Sequence, residues 1–416
     1  MASQVESIKW VPGTNFLVDG FRFQNSVRCK TYFLTHCHAD HTTGLTKAFD
    51  GGLIYCSYIS YKILTLDMGL RPHVLRPLEL DKPTTIDGIE VTAIDANHCP
   101  GAVCFLFRLP NGKVVFHTGD FRWCSERHGR ALAGVPIDTL LLDTTYLQPK
   151  WRFPTQKEAI SMMANLMETE YNLHPGTLFA CMSYHIGKER AYFGAAALLG
   201  WKVWVPPNKN RLLKMLDLPT EWTSLLVDKP EEGKLHVLGM GQNLHVQSLA
   251  DRIKGTSWDR VVLIRPTGWS YRSSGNLERQ EEGCVVTVGI PYSEHSSFTE
   301  LRDCVATLRP KRIIPTVNAS DSMKARALVD QLADVMDLSQ DKSRLDCYFM
   351  TPTRPVPFGG QEESEATRCT ESCCDLSAID VAEQQRLWNE VTKRRKREGT
   401  GRPNITSIRS YFVPGK

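Results

Sequence analysis

The sequence predicts an α/β protein in which a β-rich fold is interrupted by an inserted domain of mixed helices and strands and is followed by a disordered tail. The patterns of three successive stretches of the chain lead to this prediction. Residues 9 to 150 contain short apolar runs that are typical of strands and repeatedly end in Asp or His. From about 150 to 285 helical and strand-like segments alternate, and residues 285 to 350 return to the first pattern. One fold that is divided by an insertion explains why β-rich segments lie on both sides of the middle region.

Length and composition place the chain among globular proteins and exclude several other classes. With 416 residues, of which 42% are apolar and 23% charged, the chain is expected to form two or three domains. The formal net charge of +4 permits an anionic partner without requiring one. No apolar run reaches the roughly 18 residues of a membrane span, and the N-terminus lacks the basic and apolar regions of a secretory signal. The 13 cysteines form no C-x-x-C pair, which favours free thiols in a reducing compartment.

The most informative stretch is THCHADHTTGL, residues 35 to 45, which directly follows a strand-like run at 31 to 34. It contains four candidate metal ligands: His36, His38, Asp40 and His41. The β-rich run and the later Gly44 predict a strand that ends in a loop and is followed by a helix. Imidazoles and a carboxylate at the end of a strand suit Zn²⁺, and their spacing allows neighbours to bind two different ions. The alternative is a chance cluster of polar surface residues.

Polar residues also follow other predicted strands. Strand-like runs occur at 16–18, 88–95, 102–107, 113–116, 140–142 and 285–288. Asn111-Gly112 lies between two of these runs and predicts a hairpin. The polar residues that follow the strands are Asp19, His98, Asp120, Asp143 and His295. Each alone could be a turn former or a loop histidine with ordinary hydrogen bonds. Together with the first stretch, they indicate that one edge of a sheet collects polar side chains.

The middle region is predicted to begin with a helix over residues 155–170, with Thr155 as its N-cap and Glu158 in the capping-box position. A buried apolar strand follows. The next segment, which contains Ser183 and Lys188, opens a further helix. A helix N-terminus with a nearby serine, glycine and lysine is a candidate phosphate site, although the glycine spacing of a P-loop is missing.

Basic residues alternate with tryptophans between residues 201 and 216. This pattern fits a nucleic-acid groove, but it fits a solvated helix face over core tryptophans equally well. Farther along, the pattern predicts a helix over 299–308 and a strand over 312–317 that ends at Val317.

The last part of the chain has the composition of a disordered tail, since residues 352 to 370 are rich in Pro, Gly, Glu and Thr. A basic block follows, consisting of Lys393, Arg394, Arg395, Lys396 and Arg397. Such a block is typical of a nuclear localisation signal or a phosphate contact, and a solvated tail is the alternative. The final apolar and aromatic residues are Ile408, Tyr411 and Phe412.

The ordered motifs resemble those of the metallo-β-lactamase superfamily. The residues similar to its four metal motifs are Asp19, His36, His38, Asp40, His41, His98 and Asp120. Asp143, His295 and Val317 resemble motifs A, B and C of the β-CASP branch, in which a valine at the third motif is typical of members that process DNA. The longer strings DANHCPGAV, HTGDFR and PYSEHSS are similar to the DNA cross-link repair nucleases, over about residues 8 to 320. His185 is a departure, because close relatives tend to have serine there.

The resemblance implies a metallo-β-lactamase αββα sandwich with an inserted α/β β-CASP domain and a disordered C-terminal tail. Residues 1–150 and 286–350 would form the two parts of the metallo-β-lactamase fold. Residues 151–285 would form the insertion, and 351–416 the tail.

The resemblance also implies one or two Zn²⁺ ions, with Mg²⁺ or Mn²⁺ as an alternative at the second site. One ion would be bound by His36, His38 and His98, the other by Asp40, His41 and His295, with Asp120 as a bridge. The predicted catalytic carboxylates are Asp40, Asp120, Asp19 and Asp143. Among them, Asp19 and Asp143 would hold histidines and loops in place. The predicted contacts to a terminal 5′-phosphate are Ser183, Lys188 and Ser296.

The function implied by the resemblance is 5′-to-3′ exonuclease action on DNA with a 5′-phosphate, single- or double-stranded, in interstrand cross-link repair in the nucleus. The last residues are similar to a PCNA-binding peptide, although Ile405 stands in the place of the usual glutamine. Two alternatives stay open. One is a different hydrolase on the same scaffold, such as a structure-specific DNA or RNA endonuclease or a small-ester hydrolase, and the other is a non-catalytic repair scaffold.

Overall fold

The computed structural model describes residues 4–23, 27–239 and 244–336, and the chain divides into two compact units. Within the described residues, the first unit comprises 4–97, 102–148 and 295–336, and the second comprises 98–101 and 149–294. The second unit is thus inserted in the chain between parts of the first. The predicted linker, the basic block and the C-terminal peptide lie outside the described residues.

The helices and strands fall into three stretches of the chain. Before the insertion, the elements of the first unit are α1 Gln4–Ser7, β1 Phe16–Val18, β2 Thr31–Phe33, β3 Leu53–Ser57, α2 Tyr58–Leu66, β4 Leu75–Leu78, β5 Thr84–Ile86, β6 Ile89–Asp95, β7 Val103–Arg108, β8 Val114–His117, α3 Arg127–Ala131 and β9 Thr139–Leu142. The elements of the second unit are α4 Gln156–Leu173, β10 Thr177–Ser183, α5 Glu189–Leu199, β11 Val203–Trp204, α6 Pro207–Leu213, α7 Thr220–Thr223, β12 Leu226–Val227, β13 Leu235–Gly239, α8 Val246–Ile253, β14 Arg260–Pro266, β15 Arg279–Glu282 and β16 Val285–Ile290. The first unit resumes with α9 Phe298–Leu308, β17 Arg312–Pro315 and α10 Ser322–Asp330.

The first unit contains two sheets. One has the strand order β1-β2-β3-β4 with parallel neighbours throughout. The other has the order β17-β9-β8-β7-β6-β5, in which β17, β9 and β8 are parallel and the remaining neighbours are antiparallel. Helix α2 contacts β3 and β4, and α10 contacts β17, so each sheet has a helix against it.

Side chains of both sheets meet in one apolar core. Phe33 of β2 packs edge-on against Phe105 and Phe107 of β7, with ring centres 5.1 and 5.2 Å apart. All three rings are fully buried, as are Val18 of β1 and Val91 of β6 in the same cluster. Burial of each large apolar side chain contributes about 1.5–3 kcal/mol, so a register shift that turned these residues outward would be costly. The predicted α/β sandwich is confirmed.

Strand direction explains why polar residues collect at the strand ends. In the first sheet β1 and β2 are parallel, so Asp19 and the stretch that begins at Thr35 leave the sheet at the same edge. In the second sheet β8, β9 and β17 are parallel, so Asp120, Asp143 and Val317 leave at a common edge as well. Carboxyl ends of parallel strands are where α/β folds place their ligand sites.

The chain after the histidine-rich stretch does not enter a helix, and the prediction of a helix there was wrong. Residues 39–49 form a series of turns, and the next regular element is β3. Phe49 packs edge-on against the buried ring of Tyr32, with ring centres 5.3 Å apart. Gly44 has a φ of +91°, and a Cβ atom there would lie 2.7 Å from the backbone nitrogen of Arg22. These contacts hold the segment against the first sheet, where a helix would lose both of them.

The second unit is built on one sheet of order β12-β11-β13-β10-β14-β16-β15, in which β15–β16 is the antiparallel pair. Strand β16 pairs with β14 in parallel register from Val261–Val285 to Pro266–Ile290. This pairing places β16 in the second unit, which extends to residue 294, past the predicted boundary at 285.

The predicted capping box at the start of α4 is present, with Thr155 and Glu158 bonded reciprocally. Among the residues that the structure describes, no helix combines the length and apolar character that crossing a membrane requires.

Candidate metal centre

The loop after β2 brings two histidines together. His36 is fully buried at the end of a buried strand, and His38 is half-buried two residues later. Nε2 of His36 lies 2.9 Å from Nδ1 of His38, and the two rings are nearly perpendicular. Ring nitrogens that face each other at this distance can share one proton or bind one cation.

Asp120, in the loop after β8, faces three imidazoles with a single oxygen. Its Oδ2 lies 3.3 Å from Nε2 of His41, 3.8 Å from Nε2 of His36 and 4.0 Å from Nε2 of His295. One potential ligand atom each from His36, His41 and Asp120 lies within 4.8 Å of the others. One carboxylate among several imidazoles is the donor set expected of a shared metal ligand in a zinc site.

Gly119 allows the loop that carries Asp120 to approach the loop after β2. Its φ is +57°, and a Cβ atom at this position would lie 2.7 Å from Cγ2 of Thr35. A side chain here would therefore be strained in its backbone and would collide with Thr35.

Two further carboxylates bind the outer nitrogens of the site histidines. Oδ2 of Asp19 lies 2.7 Å from Nδ1 of His41, and Oδ2 of Asp143 lies 2.7 Å from Nδ1 of His295. A carboxylate accepts the Nδ1 proton, which leaves the lone pair on Nε2, the nitrogen that faces Asp120. Carboxylate–histidine pairs of this kind orient metal-binding imidazoles. The structure thus places Asp19 and Asp143 behind the two histidines.

Thr35 is a member of the site that the sequence reasoning missed. Its backbone N–H donates to Oδ1 of Asp19 at 2.8 Å, and its hydroxyl donates to Oδ2 of the same carboxylate at 2.7 Å. The hydroxyl oxygen also lies 3.0 Å from Nδ1 of His36 and 3.3 Å from Nδ1 of His41. The available signal was its position directly before the first histidine of the motif.

The electrostatics of the cluster favour a positive charge between the carboxylates. Burial alone would raise the pKa of Asp120, but His41, followed by His295 and His36, holds this pKa well below its ordinary value. Burial alone would lower the pKa of His41, but Asp120 and Asp19 raise it well above its ordinary value. The site therefore keeps a proton on an imidazole that burial would normally deprotonate. A divalent cation between the same atoms meets this requirement, so the residues present fit a bound metal ion.

Two predicted ligands, His98 and Asp40, have different surroundings. His98 is buried, and its Nδ1 lies 2.7 Å from the carbonyl oxygen of Glu294, with both residues in the second unit. A carbonyl only accepts, so Nδ1 carries the proton and the lone pair is on Nε2. The side chain of Asp40 is 79% exposed, and its Oδ2 lies 3.5 Å from Nε2 of His41. Asp40 thus lies on the solvent side of the cluster in the first unit.

Val317 follows β17 and is tied to the end of β9 through its backbone. The hydroxyl of Thr144 donates to the carbonyl oxygen of Val317, and the N–H of Val317 lies 3.3 Å from the same hydroxyl. Its contribution in the first unit is therefore to join two neighbouring strand ends beside Asp143.

The two predicted phosphate contacts of the second unit are engaged internally. The buried hydroxyl of Ser183 donates to the carbonyl oxygen of Gly187 at 2.8 Å. Lys188 has a φ of +68°, its N–H donates to Oε1 of Glu294, and its Nζ lies 3.1 Å from Oε2 of Glu294. Glu294 is the partner that the sequence reasoning missed, although it lies within the string PYSEHSS.

The third predicted phosphate contact, Ser296, lies in the first unit and is also engaged. Its hydroxyl donates to the carbonyl oxygen of Phe121 at 3.1 Å and accepts from the N–H of Trp123 at 2.9 Å. These bonds fasten the segment after His295 to the loop that carries Asp120.

The internal contacts of the segment 201–216 argue against the first of its two interpretations, a nucleic-acid groove. Trp201 packs against the buried ring of Phe179, with ring centres 5.1 Å apart. Lys209 is buried, and its Nζ lies 2.7 Å from Oε1 of Glu189. A tryptophan and a lysine that are satisfied internally do not line an open groove.

Two family models match the chain. Residues 22–180 match the β-lactamase superfamily domain, and residues 220–321 match the model described as DNA repair metallo-β-lactamase. Together the two matches cover parts of both structural units.

Several curated proteins are similar to this chain. The DNA cross-link repair 1A protein of Mus musculus is 39% identical over 329 residues, which is 78% of this chain and 32% of that protein. The DNA cross-link repair protein SNM1 of Arabidopsis thaliana is 41% identical over 321 residues, 74% of this chain and 65% of that protein. The 5′ exonuclease Apollo of Danio rerio is 30% identical over 330 residues, 74% of this chain and 52% of that protein. The matched region thus spans between about a third and two thirds of these relatives.

Proposed function

Since this chain belongs to the DNA cross-link repair family of metallo-β-lactamases, we propose that it is a metal-dependent 5′-to-3′ DNA exonuclease acting in interstrand cross-link repair. The observation that supports this proposal most strongly is the cluster around Asp120, where one carboxylate oxygen faces His36, His41 and His295. A site of this composition suits hydrolysis of a phosphodiester.

The proposed ligands divide into two sets. His36, His38 and His98 would hold one ion, His41, His295 and Asp40 the other, and Asp120 both. Zn²⁺ is the proposed ion, with Mg²⁺ or Mn²⁺ as an alternative at the second site. When bound, such ions supply a water of lowered pKa and positive charge beside the phosphodiester.

The chain's own residues have three tasks in this proposal. Asp19 and Asp143 accept the Nδ1 protons of His41 and His295, which leaves Nε2 of each ring, the nitrogen nearer Asp120, as the atom that would hold an ion. Asp40 is exposed beside His41 and would orient the attacking water. The buried walls of the site keep the carboxylates from being solvated individually, which strengthens their attraction for a cation.

Recognition of the DNA end is proposed to use a 5′-phosphate contact by Ser183, Lys188 and Ser296. Because Lys188 is paired with Glu294 in a buried position, phosphate binding at Lys188 requires the phosphate to compete with a carboxylate. We propose in addition that the basic block at 393–397 directs the chain to the nucleus and that Ile408, Tyr411 and Phe412 bind PCNA.

The central experiment is a time course on 5′-end-labelled and 3′-end-labelled DNA, single- and double-stranded, with and without chelator. A 5′ exonuclease releases the 5′ label first as mononucleotide and shortens the 3′-labelled strand stepwise, and chelator stops both. Substrates without the 5′-phosphate are expected to be degraded more slowly, and equal rates would contradict the phosphate contact. Internal cuts from the first time point would favour the endonuclease alternative. No hydrolysis of DNA, RNA or a chromogenic lactam after zinc reconstitution would favour the scaffold alternative.

A further inference from the structure

A pair of tryptophans lies at the surface of the second unit, and the proposed hydrolysis does not use it. Trp151 and Trp269 pack edge to face, with ring centres 4.9 Å apart and ring planes at 90°. Trp269 is 53% exposed, whereas Trp222 of the same unit is buried. A tryptophan that keeps half of its surface in water forgoes much of the stabilisation that burial would provide, and its exposed ring is a candidate contact for a ligand.

The backbone at Trp269 is held by a capped turn and a close contact with β16. Residues Gly268–Ser270 form a single 3₁₀ turn directly after β14, and the hydroxyl of Thr267 caps it by accepting from the N–H of Trp269. Ser270 is buried against β16, where a Cβ atom on Gly289 would lie 2.7 Å from its own Cβ. The turn therefore packs closely against β16, while the side chain of Trp269 is half exposed.

Trp269 follows the carboxyl end of a strand at a place in the sheet where α/β folds bind ligands. After β10 the chain continues to β11, toward one edge of the sheet. After β14 it continues to β15 and β16, toward the opposite edge. The carboxyl ends of β10 and β14, which are parallel neighbours, therefore flank the point where the connections diverge. Trp269 follows β14, and Tyr184, which is 46% exposed, follows β10.

Two basic side chains contact the tryptophan pair, and a third is next to it in sequence. Nζ of Lys150 lies 4.8 Å from the ring centre of Trp151, and the neighbouring Arg152 is exposed. The guanidinium of Arg272 donates to the carbonyl oxygen of Trp269 at 3.1 Å, and it also lies 3.4 Å from a carboxylate oxygen of Glu278. Exposed aromatic rings with positive charges beside them are complementary to a single nucleic-acid strand, whose bases stack and whose phosphates are anionic.

We propose that Trp269, supported by Trp151, is a stacking platform for an unpaired base of single-stranded DNA. Lys150, Arg152 and Arg272 would hold the adjoining phosphates. The inference rests on the proposed function for the identity of the ligand as DNA, and it adds how the second unit holds the strand. An apolar protein partner fits less well, because positive charges lie beside the two tryptophans.

The test is equilibrium binding of the full-length, metal-loaded chain to a fluorescent oligothymidine with phosphorothioate linkages, which resist hydrolysis. Trp269→Ala is expected to weaken binding by roughly 5- to 100-fold, the cost of losing one stacked base. Trp269→Tyr is expected to bind nearly as tightly as the parent, because it keeps an aromatic face. Leu173→Ala removes another exposed apolar side chain of the same unit and should leave binding unchanged.

An abasic oligonucleotide of the same length separates stacking from charge. The parent should bind the abasic strand about as weakly as Trp269→Ala binds oligothymidine, and Trp269→Ala should not distinguish the two strands. Unchanged binding by Trp269→Ala, or an equal loss toward the abasic strand, would overturn the proposal. Because the readout is binding and not cleavage, it stands apart from the nuclease proposal, which falls separately if chelator or loss of Asp120 leaves DNA hydrolysis intact.

Discussion

A single oxygen, Oδ2 of Asp120, is the atom on which the proposed activity depends most at the scale of individual residues. It has three imidazole neighbours within 4.0 Å, and none of these residues is adjacent to it in sequence. Asp19 and Asp143 differ from Asp120 in role. Each contacts the Nδ1 atom of one histidine, on the side of the ring that faces away from Asp120.

Asp120→Asn should remove the negative charge that balances the bound ions while preserving the shape of the side chain. We expect DNA hydrolysis to fall by more than the roughly 10- to 100-fold that loss of an outer partner costs. The measurement is the initial rate on end-labelled DNA with metal content by elemental analysis. Asp228→Asn, an exposed carboxylate of the second unit, is the matched control. Parent-like hydrolysis by Asp120→Asn would exclude its role as a shared ligand.

We propose that Asp143 positions His295, and its effect can be separated from general destabilisation by a second carboxylate at the other end of the same strand. Asp143 lies after β9, whereas Asp138 lies before it and pairs with Lys311 at 2.8 Å. We expect Asp143→Ala to weaken zinc binding roughly 10- to 100-fold because His295 loses the acceptor for Nδ1. Asp138→Ala should lower stability without changing zinc affinity. Both are measured by zinc titration against a competing chelator, and equal affinities would argue against the role of Asp143.

At the scale of elements, the candidate metal ligands are positioned by the ends of strands and the beginnings of helices. Two helices begin with the same capping box: α9 in the first unit, with Ser297 and Glu300, and α4 in the second, with Thr155 and Glu158. Of the two boxes, the one at the start of α9 is next to a candidate ligand, since Ser297 is two residues after His295.

The two capping boxes provide an internal comparison. Ser297→Ala and Thr155→Ala should each lower the free energy of unfolding of their own unit by about 1 kcal/mol, because each removes the acceptor of a helix N–H. Only Ser297→Ala should also weaken zinc binding, because the cap fixes the turn that carries His295. Chemical denaturation and zinc titration measure the two effects. A matching loss of zinc affinity in Thr155→Ala would mean that the effect is not local to the turn.

At the scale of the whole molecule, bound metal is expected to stabilise the first unit, because the ligands come from loops that follow different strands. Chelation should lower the melting temperature of the first unit, and restoring Zn²⁺ should reverse the change, since a ligand that binds only the folded state adds to its stability. Calorimetry with chelator and with added zinc measures this shift. An Asp120→Asn variant should show a smaller shift, and a parent-like response from it would place the metal elsewhere.

Buried neutral histidines should make the protein less stable at acidic pH. His128 is buried, accepts from the N–H of Cys124 and donates to the carbonyl oxygen of Asp95, and burial lowers its pKa. As pH falls below about 6.5, the unfolded chain gains a proton that the folded His128 does not take up, so stability decreases. His128→Gln keeps a donor and an acceptor but does not titrate. Denaturation at several pH values should therefore show the parent losing its advantage over this variant between neutral and acidic pH, and a constant difference would contradict the assignment.

The sequence by itself determined the family, the α/β class and most of the regular elements. The ordered motifs gave a resemblance to DNA cross-link repair metallo-β-lactamases that the comparisons confirm. Local patterns sufficed for the strands that precede Asp19, Asp120 and Asp143, and for the capping box of α4, because these signals depend on residues only a few positions apart.

Only the tertiary structure decided which atoms meet. It brought Thr35 onto Asp19 and His36, left Asp40 exposed, paired Lys188 with Glu294 and placed β16 in the sheet of the second unit. It also buried Lys209 while leaving Trp269 at the surface. Apart from the contact between the neighbours Thr35 and His36, the contacts named here join residues 16 to 106 positions apart, and strand direction and core packing set their approach. Spacing along the chain carries no record of either.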